Sequence, residues 1–589
     1  MGDAGVMSGA ALDAMTLSTA QVVTGAKTYQ DQKLLLRNPA STFTTTITNP
    51  VVTANTSVEF PLKHPYKYFI YLDAADSKFK ARNGLTGVTD YTSAGSTDAA
   101  VVIQNAINAS SNAAGIIQLA ANTTFPLVST TGGGPATLLR LRTGTYLKGG
   151  GQGSTILLLN NTYANNPYLG IYGFNVNNVT LEDFTVNGQN FDGDTGSSGV
   201  GGNITFTNTD PAFNQNIWVN RVSSLYSAEI GIKAKSTHNF WVTNSYVEGS
   251  GLITTGPPNG GYAGIESVQN GENVIFMGNI CKNCGGEAIG VYGVGSSSHR
   301  VLVEGNIMYM TADSSLVLDN GGRGHILLES DNASRDNAQD TIIANNFILA
   351  QYKNIHLKSW SRAKIYGNII TQVGFDTSIY SQDAIEIGGV CADIDVYDNN
   401  IRNCAQNGIE VTNALSRVNI RNNSIYNIGT RTANTYHGIW IEAGGTNSTD
   451  LVNCTGNIII DDRGASKMMK DGVRVENLGS GTMTNIYCDD NYVSGETGSK
   501  YNVVTSGATI TFRRNKGTIA LNGGSATVNI PHRLSAAPST DGLSVVPLSI
   551  DARGQFYVTV DATNIILNYP IATPGGTANL SYAWRANVQ

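Results

Sequence analysis

Two glutamates, Glu386 and Glu410, occupy the same position in two similar stretches of the chain. The stretches QDAIEIGGVCADIDVYDNNIRNC (residues 382–404) and QNGIEVTNALSRVNIRNNSIYNI (residues 406–428) align without a gap, 24 residues apart. If equivalent positions stack in neighbouring turns of a coil, the two carboxylates lie roughly 5 Å apart and repel each other. One carboxyl group then keeps its proton toward neutral pH, as a general acid must. That separation matches the retaining form of glycoside hydrolysis better than the inverting form.

Other side chains that could take part in chemistry fall on neighbouring turns. We predict His356 and Lys358 as further catalytic residues, since an elimination reaction would need one of them as a base, together with a cation or metal ion to stabilise an enolate-like intermediate. Trp440 offers a flat ring on which a sugar could stack. The residues that we predict to bind substrate are Asp383, His437, Trp440, Glu442 and Arg474.

Three alternatives to this site remain open. The same residues could bind a ligand without turnover, or they could be a solvated polar strand face, because charged columns on repeat proteins commonly serve solubility. A rival site lies in the 40-residue repeat interval that holds SSLVLDNGGRGHILLESDN, where a loop or an extra turn would overhang the outward strand face. Its candidate residues are Asp313, Asp319, Arg323, His325 and Glu329.

The elements that position these residues are repeated. The pattern of an apolar residue, any residue, one of Gly, Asp, Asn, Ala or Arg, and then Asn marks a ladder of nine asparagines at intervals of 27, 40, 22, 31, 24, 34, 34 and 24 residues. Such periods, lengthened by insertions, predict a β-solenoid with one turn per repeat. We expect each Asn to lie at a corner in a left-handed backbone conformation, with its amide bonded to the next Asn. The residues are Asn279, Asn306, Asn346, Asn368, Asn399, Asn423, Asn457, Asn491 and Asn515.

A second strand precedes each of these segments and alternates apolar and outward residues, as in AIEI and GIWI. Since strands on adjacent turns lie about 4.8 Å apart, the outward residues form one exposed column. Its predicted members are Lys233, Glu266, Gly290, His356, Glu386, Glu410, Trp440 and Arg474.

Composition limits the function classes. With 66 Gly and 14% charged residues in 589, the chain is poor in surface helices, which argues against a helical solenoid. A net charge of -7 and the lack of a basic run argue against nucleic acid as a partner. We find neither a secretion signal nor an apolar run of membrane-spanning length, so no membrane insertion is expected. Cys281 and Cys284 are predicted to be plain thiols, and Cys454 and Cys488 to be packed neighbours.

The start of the repeat region resembles a known family. The segment STDAAVVIQNAINASSNAAGIIQLAANTTFPL, followed by GTYLKGGGQGSTILLL, is similar to the entry cap and first turns of pectate-lyase-like right-handed parallel β-helix proteins. The resemblance extends over about residues 97–515 and implies that an amphipathic helix covers the open end of the coil. The family includes lyases, glycoside hydrolases, epimerases and phage tailspikes. Neither a polygalacturonase-type aspartate trio nor a calcium-binding lyase motif matches this chain.

We therefore expect an all-β chain whose main body is a right-handed parallel β-helix. Its predicted parts are an N-terminal β-module at 1–61, a strand and linker at 62–97, the helix with its cap at 98–515, and a C-terminal β-sandwich at 516–589. The two end modules look like those of virion and tail fibres.

Three functions fit this organisation. The first is a virion tailspike or fibre that binds, and could degrade, a cell-surface polysaccharide; the resemblance implies a homotrimer. The second is a secreted or cell-surface polysaccharide lyase or glycoside hydrolase. The third is a non-enzymatic surface-layer or filament subunit. We predict a virion-surface or extracellular location, and neither a cofactor nor a metal site.

Overall fold

The computed structural model of the chain describes most of its repeat region. The described residues are 33–37, 44–48, 66–110, 115–128, 136–160, 168–189, 202–209, 212–227, 229–251, 263–269, 271–293, 298–309, 325–330, 338–350, 354–372, 383–505, 510–532, 537–538 and 542–587.

The body of the chain is a right-handed parallel β-helix, as predicted. Each coil contributes a strand to three parallel sheets, which we call sheets 1, 2 and 3 in the order in which the chain visits them. Alternating residues point inward and form one continuous apolar core from Tyr68 to Ala586. Because each strand pairs with the next coil, the sheets grow along the axis of the rod.

Sheet 1 has 13 strands and contains the predicted site. Its strands are Ala136–Arg140, Tyr168–Phe174, Gly202–Thr207, Ile230–Lys235, Ile265–Val268, Ile289–Tyr292, Ile326–Glu329, Ile355–Lys358, Ile385–Gly388, Ile409–Thr412, His437–Ala443, Asp471–Asn477 and Tyr501–Thr505.

Sheets 2 and 3 follow in each coil, and two long strands, Asn177–Asn187 and Asn214–Leu225, contribute to both. The other strands of sheet 2 are Ile116–Leu119, Tyr146–Lys148, Thr237–Thr243, Glu272–Met277, Ser298–Glu304, Ala338–Ala344, Ser361–Tyr366, Val390–Tyr397, Ala414–Arg421, Thr449–Thr455, Met483–Asp489 and Ile510–Leu521. Those of sheet 3 are Thr123–Val128, Thr155–Asn160, Tyr246–Glu248, Ile280–Lys282, Ile307–Tyr309, Phe347–Ala350, Ile369–Gln372, Asn400–Arg402, Ser424–Tyr426, Ile458–Ile460 and Tyr492–Ser494.

The predicted asparagine ladder lies at the corner between sheets 2 and 3. Each buried amide from Asn279 to Asn457 donates to the carbonyl oxygen of the next Asn at 2.8–3.0 Å. The expected left-handed conformation was assigned to the wrong residue. It belongs to the preceding one, such as Asn422 at φ 56° or Gly367 at φ 64°. That residue makes the turn, which lets the Asn side chain point inward.

The ninth predicted member of the ladder is Asn515. Asn515 lies within the strand Ile510–Leu521, where it is opposite Ala586 of an antiparallel partner. The corner sequence is therefore followed by a different kind of pairing at this end of the coil.

Corners differ in length. From the strand Thr237–Thr243 to the strand Tyr492–Ser494, two residues separate each strand of sheet 2 from the following strand of sheet 3. Within this part of the chain, longer intervals occur only at the two connections that border sheet 1, as between Tyr309 and Ile326. The insertions inferred from the repeat intervals therefore leave the asparagine corner unchanged.

A helix, Ala100–Ser110, covers the first coils. The carboxylate of Asp98 accepts hydrogen bonds from the backbone N–H of Ala100 (2.8 Å) and of Val128 (3.2 Å), which anchors the start of the helix to sheet 3. Val102, Ile103, Ala106 and Ile107 are buried on its inner face. This is the amphipathic cap that the sequence predicts. The strands Tyr66–Asp73, Lys78–Asn83 and Thr89–Thr92 precede it.

At the C-terminal end the pairing becomes antiparallel. Leu580–Asn587 pairs with Ile510–Leu521 and with Ser544–Pro547, and a second sheet contains Thr527–Pro531, Asn564–Asn568 and Tyr557–Val560. The strand Ile510–Leu521 runs across the predicted boundary at 515/516. A β-sandwich at 516–589 stays a prediction.

Of the N-terminal module predicted at 1–61, the structure describes one antiparallel hairpin, formed by Lys33–Arg37 and Thr44–Thr48. The other residues of that module lie outside the described part of the chain. Residues 1–62 form a unit separate from the remainder.

All six cysteines are buried free thiols. Cys454 and Cys488 are register partners on adjacent strands of sheet 2, as the repeat predicts. Among the described helices, none has the length and hydropathy needed to cross a membrane.

Candidate active site

The outward residues of sheet 1 form the predicted column. Lys233 pairs with Glu266, His356 with Glu386, Glu386 with Glu410, and so on to Arg474. One member was missed, because Leu327 occupies a coil between Gly290 and His356. The column also extends beyond the predicted ends. Its full membership is Arg140, Tyr172, Thr205, Lys233, Glu266, Gly290, Leu327, His356, Glu386, Glu410, Trp440, Arg474 and Asn502.

A group of acidic side chains surrounds Glu410. Burial, together with the neighbouring carboxylates of Asp383 and Glu386, raises the pKa of Glu410 to about 10. Asp383 is buried and hydrogen-bonds Glu410, which favours the protonated form of Glu410. The amide of Asn407 donates to Glu410 Oε2 at 2.8 Å. Glu410 is therefore a neutral acid at neutral pH, held in place from two sides.

His356 lies next to this group, one coil before Glu386. Its Nε2 is 3.5 Å from Glu386 Oε1, and both side chains are largely shielded from solvent. Lys358 has a different environment. Its ammonium forms an ion pair with Glu329 on the preceding strand and remains about half exposed, at 46%. Among the described contacts of the two predicted bases, that of His356 with Glu386 is the only one that involves the paired glutamates.

Trp440 and His437 lie on the coil after Glu410. Trp440 is the register partner of Glu410, and its ring is half-buried. His437 packs edge-on against it, with ring centroids 5.8 Å apart. Asp471 lies 3.2 Å from His437 Nδ1 and accepts a hydrogen bond from Asn502 at 2.9 Å. Asp471 therefore lies beside the imidazole, which in turn packs against the indole ring.

Arg474 follows Trp440 in the column, and Glu442 lies two residues after Trp440 on the same strand. The guanidinium of Arg474 is engaged by Glu476 at 2.6 Å and by Asp471 at 3.5 Å. Burial, followed by the charge of Glu476, raises the pKa of Glu442. The structure therefore gives Arg474 two carboxylate partners within the protein, which the sequence prediction did not include.

Asn407 and Asp471 are not among the residues predicted from the sequence. Both belong to a second polar ladder, at the start of the sheet 1 strands. Asn407 N–H donates to Asp383 Oδ1, and His437 N–H donates to Asn407 Oδ1, each at 2.8 Å. The signal is present in the sequence, since a polar residue stands three positions before each column residue in DAIE, NGIE, HGIW and DGVR.

The rival site is described only in part. Asp313, Asp319 and Arg323 lie outside the described residues. The extra-turn alternative fits Glu329, which ends the sheet 1 strand Ile326–Glu329. His325 is buried beside that strand rather than exposed over a groove, and burial lowers its pKa to about 4.

Comparison with known proteins gives likenesses of fold. No family model matches the chain, and no curated protein does. Among solved structures, the chain is similar to the A-module of Azotobacter vinelandii mannuronan C-5 epimerase AlgE4, with TM-score 0.41, 16% identity, and 70% of this chain and 96% of that one covered. It is also similar to a double mutant of the tailspike protein of E. coli bacteriophage HK620, with TM-score 0.49, 15% identity, and coverage of 83% and 90%. A third is PfbA, a surface adhesin of Streptococcus pneumoniae, with TM-score 0.38, 15% identity, and coverage of 56% and 87%.

The epimerases and tailspikes are themselves parallel β-helix proteins. The strand pairing of this chain establishes the right-handed parallel β-helix fold, and at these scores the likenesses say nothing of its function.

Proposed function

We propose that the chain binds a polysaccharide along sheet 1 and hydrolyses it with retention of configuration at Glu386 and Glu410. The observation that supports this most directly is the register pairing of these two glutamates, of which Glu410 has its pKa raised to about 10. One strand spacing is about 4.8 Å, close to the roughly 5–5.5 Å between the carboxyl groups of retaining glycosidases.

The two carboxyl groups have different roles. Glu410, kept neutral by burial and by Asp383, donates its proton to the glycosidic oxygen as that bond breaks. The Glu386 carboxylate, beside His356, attacks the anomeric carbon and forms a glycosyl-enzyme ester. Glu410, now ionised, takes a proton from water, whose oxygen displaces Glu386 and releases the sugar. Trp440, on the next coil, supplies a flat surface for an adjoining sugar ring.

Hydrolysis fits these contacts better than elimination. An eliminating base must be free to take a proton from carbon. The ammonium of Lys358 is paired with Glu329, and His356 lies against the Glu386 carboxylate. Neither arrangement presents an uncommitted base to a substrate.

We further propose that the protein is a homo-oligomer, a trimer by family analogy, on a virion or cell surface. An apolar stripe on the outer face of sheet 3 supports self-association. Ile307, Phe347 and Ile369 are register partners on consecutive coils and are exposed by 41%, 41% and 45%. Contiguous exposed apolar surface of this kind marks an interaction site.

The experiment is to incubate the purified chain with a panel of neutral and acidic bacterial surface polysaccharides. Hydrolysis releases reducing ends without ultraviolet-absorbing unsaturated sugars, and proton NMR of the first product shows the anomeric configuration retained. Unsaturated products would show that the reaction is an elimination and not a hydrolysis. If the chain bound a polysaccharide but released no product, the function would be that of a receptor-binding fibre. If it neither bound nor cleaved any polysaccharide, a structural filament subunit would be favoured.

A further inference from the structure

A second groove lies at the opposite end of the same face. It has a volume of about 720 Å³ and runs between the outer side of the helix Ala100–Ser110 and the first strands of sheet 1. Arg140, Arg142, Tyr172 and Phe174 line it on the sheet side. Seven coils separate Tyr172 from Glu386 in the column, which is roughly 34 Å at about 4.8 Å per coil. The groove is therefore distinct from the candidate active site.

The groove contains two cationic groups, those of Arg140 and Arg142. Both arginines are exposed, and among the described residues neither forms an ion pair. The acidic residue in the lining, Asp98, already accepts two backbone hydrogen bonds at the start of the helix. In a chain of net charge -7, two guanidinium groups in one cavity that form no ion pair with the described residues make a local site for an anion.

Aromatic rings stand beside these guanidinium groups. Tyr172 is the register partner of Arg140 and stacks with Phe174 at 6.4 Å and 27° between ring planes. The hydroxyl groups of Tyr172 and Thr207 are 2.8 Å apart and hydrogen-bonded, which holds the ring. Phe174 is exposed by 38%. A flat apolar surface next to a cation matches a sugar ring that has a carboxylate substituent.

The floor of the groove is rigid. The side-chain amide of Gln104 accepts from Arg140 N–H at 2.7 Å and donates to Arg140 O at 2.9 Å. Arg142 Nε donates to Asn108 at 3.4 Å. Because the helix is bonded to the backbone of Arg140 and to the side chain of Arg142, these groups are positioned before a ligand arrives, which lowers the entropic cost of binding.

We propose that this groove is a non-catalytic binding site for an acidic saccharide, whose carboxylate pairs with Arg140 and Arg142 and whose ring stacks on Tyr172 and Phe174. It does not require the proposed hydrolysis, since none of its residues belongs to the cluster around Glu410. Its role would be to hold an acidic glycan at a fixed distance from the carboxylates.

The test uses the full chain with Glu410→Gln, so that no probe is consumed. The probes are decamers of galacturonate, of glucuronate, of mannuronate and of sialate, each compared with its neutral methyl ester by calorimetric titration. At least one acidic decamer binds, roughly 10-fold or more tighter than its ester, and its affinity falls with salt. Arg140→Ala, Arg142→Ala and Phe174→Ala each weaken binding by a similar factor.

Arg417→Ala is the matched control, because it removes one exposed arginine from sheet 2 and leaves affinity unchanged. Arg140→Lys, which keeps the charge but loses the planar fork, retains part of the affinity, and thermal melting confirms that each variant is folded. The proposal would be overturned if none of the four acidic probes bound, or if an acidic probe and its ester bound with equal affinity. It would also be overturned if the three groove substitutions left the affinity unchanged. Equal competition by a single-stranded oligonucleotide would overturn it as well. Reducing-end release by the unsubstituted chain is measured separately, so a failure of hydrolysis remains distinguishable.

Discussion

Glu410 lies one strand spacing from Glu386 on the outward face of sheet 1, and burial beside Asp383 holds a proton on it. Replacing either glutamate by glutamine removes an essential group while preserving its shape. We expect Glu386→Gln and Glu410→Gln each to lower kcat by about 10²-fold to 10⁴-fold on the polysaccharide that the wild type cleaves. Single-turnover kinetics would measure the loss. Glu304→Gln, on sheet 2, is the control and should leave kcat unchanged; full activity in either site variant would remove this pair from the mechanism.

Glu410 also makes stability depend on pH. Its folded-state pKa of about 10 lies above the ordinary 4.5, so between those values the folded chain holds a proton that the unfolded chain has lost. The contribution of Glu410 to the free energy of unfolding therefore falls as pH rises through that window. Glu410→Gln has no such proton, so we expect it to raise the melting temperature more at about pH 9 than at about pH 5. An equal shift at both pH values would contradict the raised pKa.

The asparagine corner should dominate local stability. Asn368 Oδ1 accepts from the N–H and the amide of Asn346, and its own amide donates to Asn399 and Ile343 O. Asn368→Ala leaves several buried polar groups without partners, so we expect a loss of roughly 3 kcal/mol or more in the free energy of unfolding. Urea denaturation measures it. Asn419→Ala, on the outward face of sheet 2, should change that free energy by less than about 0.5 kcal/mol.

Asp461 stabilises the connection between the sheet 3 strand Ile458–Ile460 and the sheet 1 strand that begins at Asp471. Its buried carboxylate pairs with Arg463 at 2.6 Å and accepts from the N–H groups of Met468 and Met469. Burial opposes ionisation, but these hydrogen bonds outweigh it and lower the pKa of Asp461 to about 2. Its stabilisation is complete above about pH 4 and is lost as pH falls through about 2.

Asp461→Asn should therefore lower the free energy of unfolding at pH 7 by roughly 1–3 kcal/mol, with little difference from wild type near pH 2. Asp462→Asn changes the exposed neighbour and should have no measurable effect. A deficit that persisted unchanged at low pH would show that the charge of Asp461 is not responsible.

The apolar stripe on sheet 3 tests self-association. Phe347→Lys and Ile369→Lys place a charge in the middle of the proposed contact, so we expect sedimentation to show dissociation to the monomer. Asn419→Lys adds the same charge on sheet 2 and should leave the assembly intact. A wild-type chain that sediments as a monomer would disprove the proposed oligomer.

Much of this arrangement could be predicted from the sequence. Register follows from repetition, so the pairing of Glu386 with Glu410 and the asparagine ladder could be inferred by counting residues. Leu327 was missed because an apolar residue does not stand out in a polar column. The left-handed corner residue was misassigned by one position, because local turn preference does not reveal which of two adjacent residues faces inward.

Side-chain partners were harder to predict. Lys358 and Arg474 have long flexible side chains, so their partners depend on how far the side chain extends and not on the repeat. Lys358 pairs with Glu329 on the preceding coil, and Arg474 pairs with Glu476 on its own strand. Asp383 was assigned to substrate binding, whereas its burial and its bond to Glu410 place it behind the column. Depth below a surface depends on packing in three dimensions, which spacing alone does not specify.

The two-residue corner between sheets 2 and 3 has a consequence for how such a chain can diversify. Between Thr237 and Ser494 that corner keeps a constant length while both connections bordering sheet 1 vary, so the differences in length among these coils all lie beside the outward column. Specificity can then change by exchanging whole connecting segments, with the rod itself undisturbed. A foreign recognition loop could be grafted between Tyr309 and Ile326, and the strands of the coils on either side are expected to keep their register.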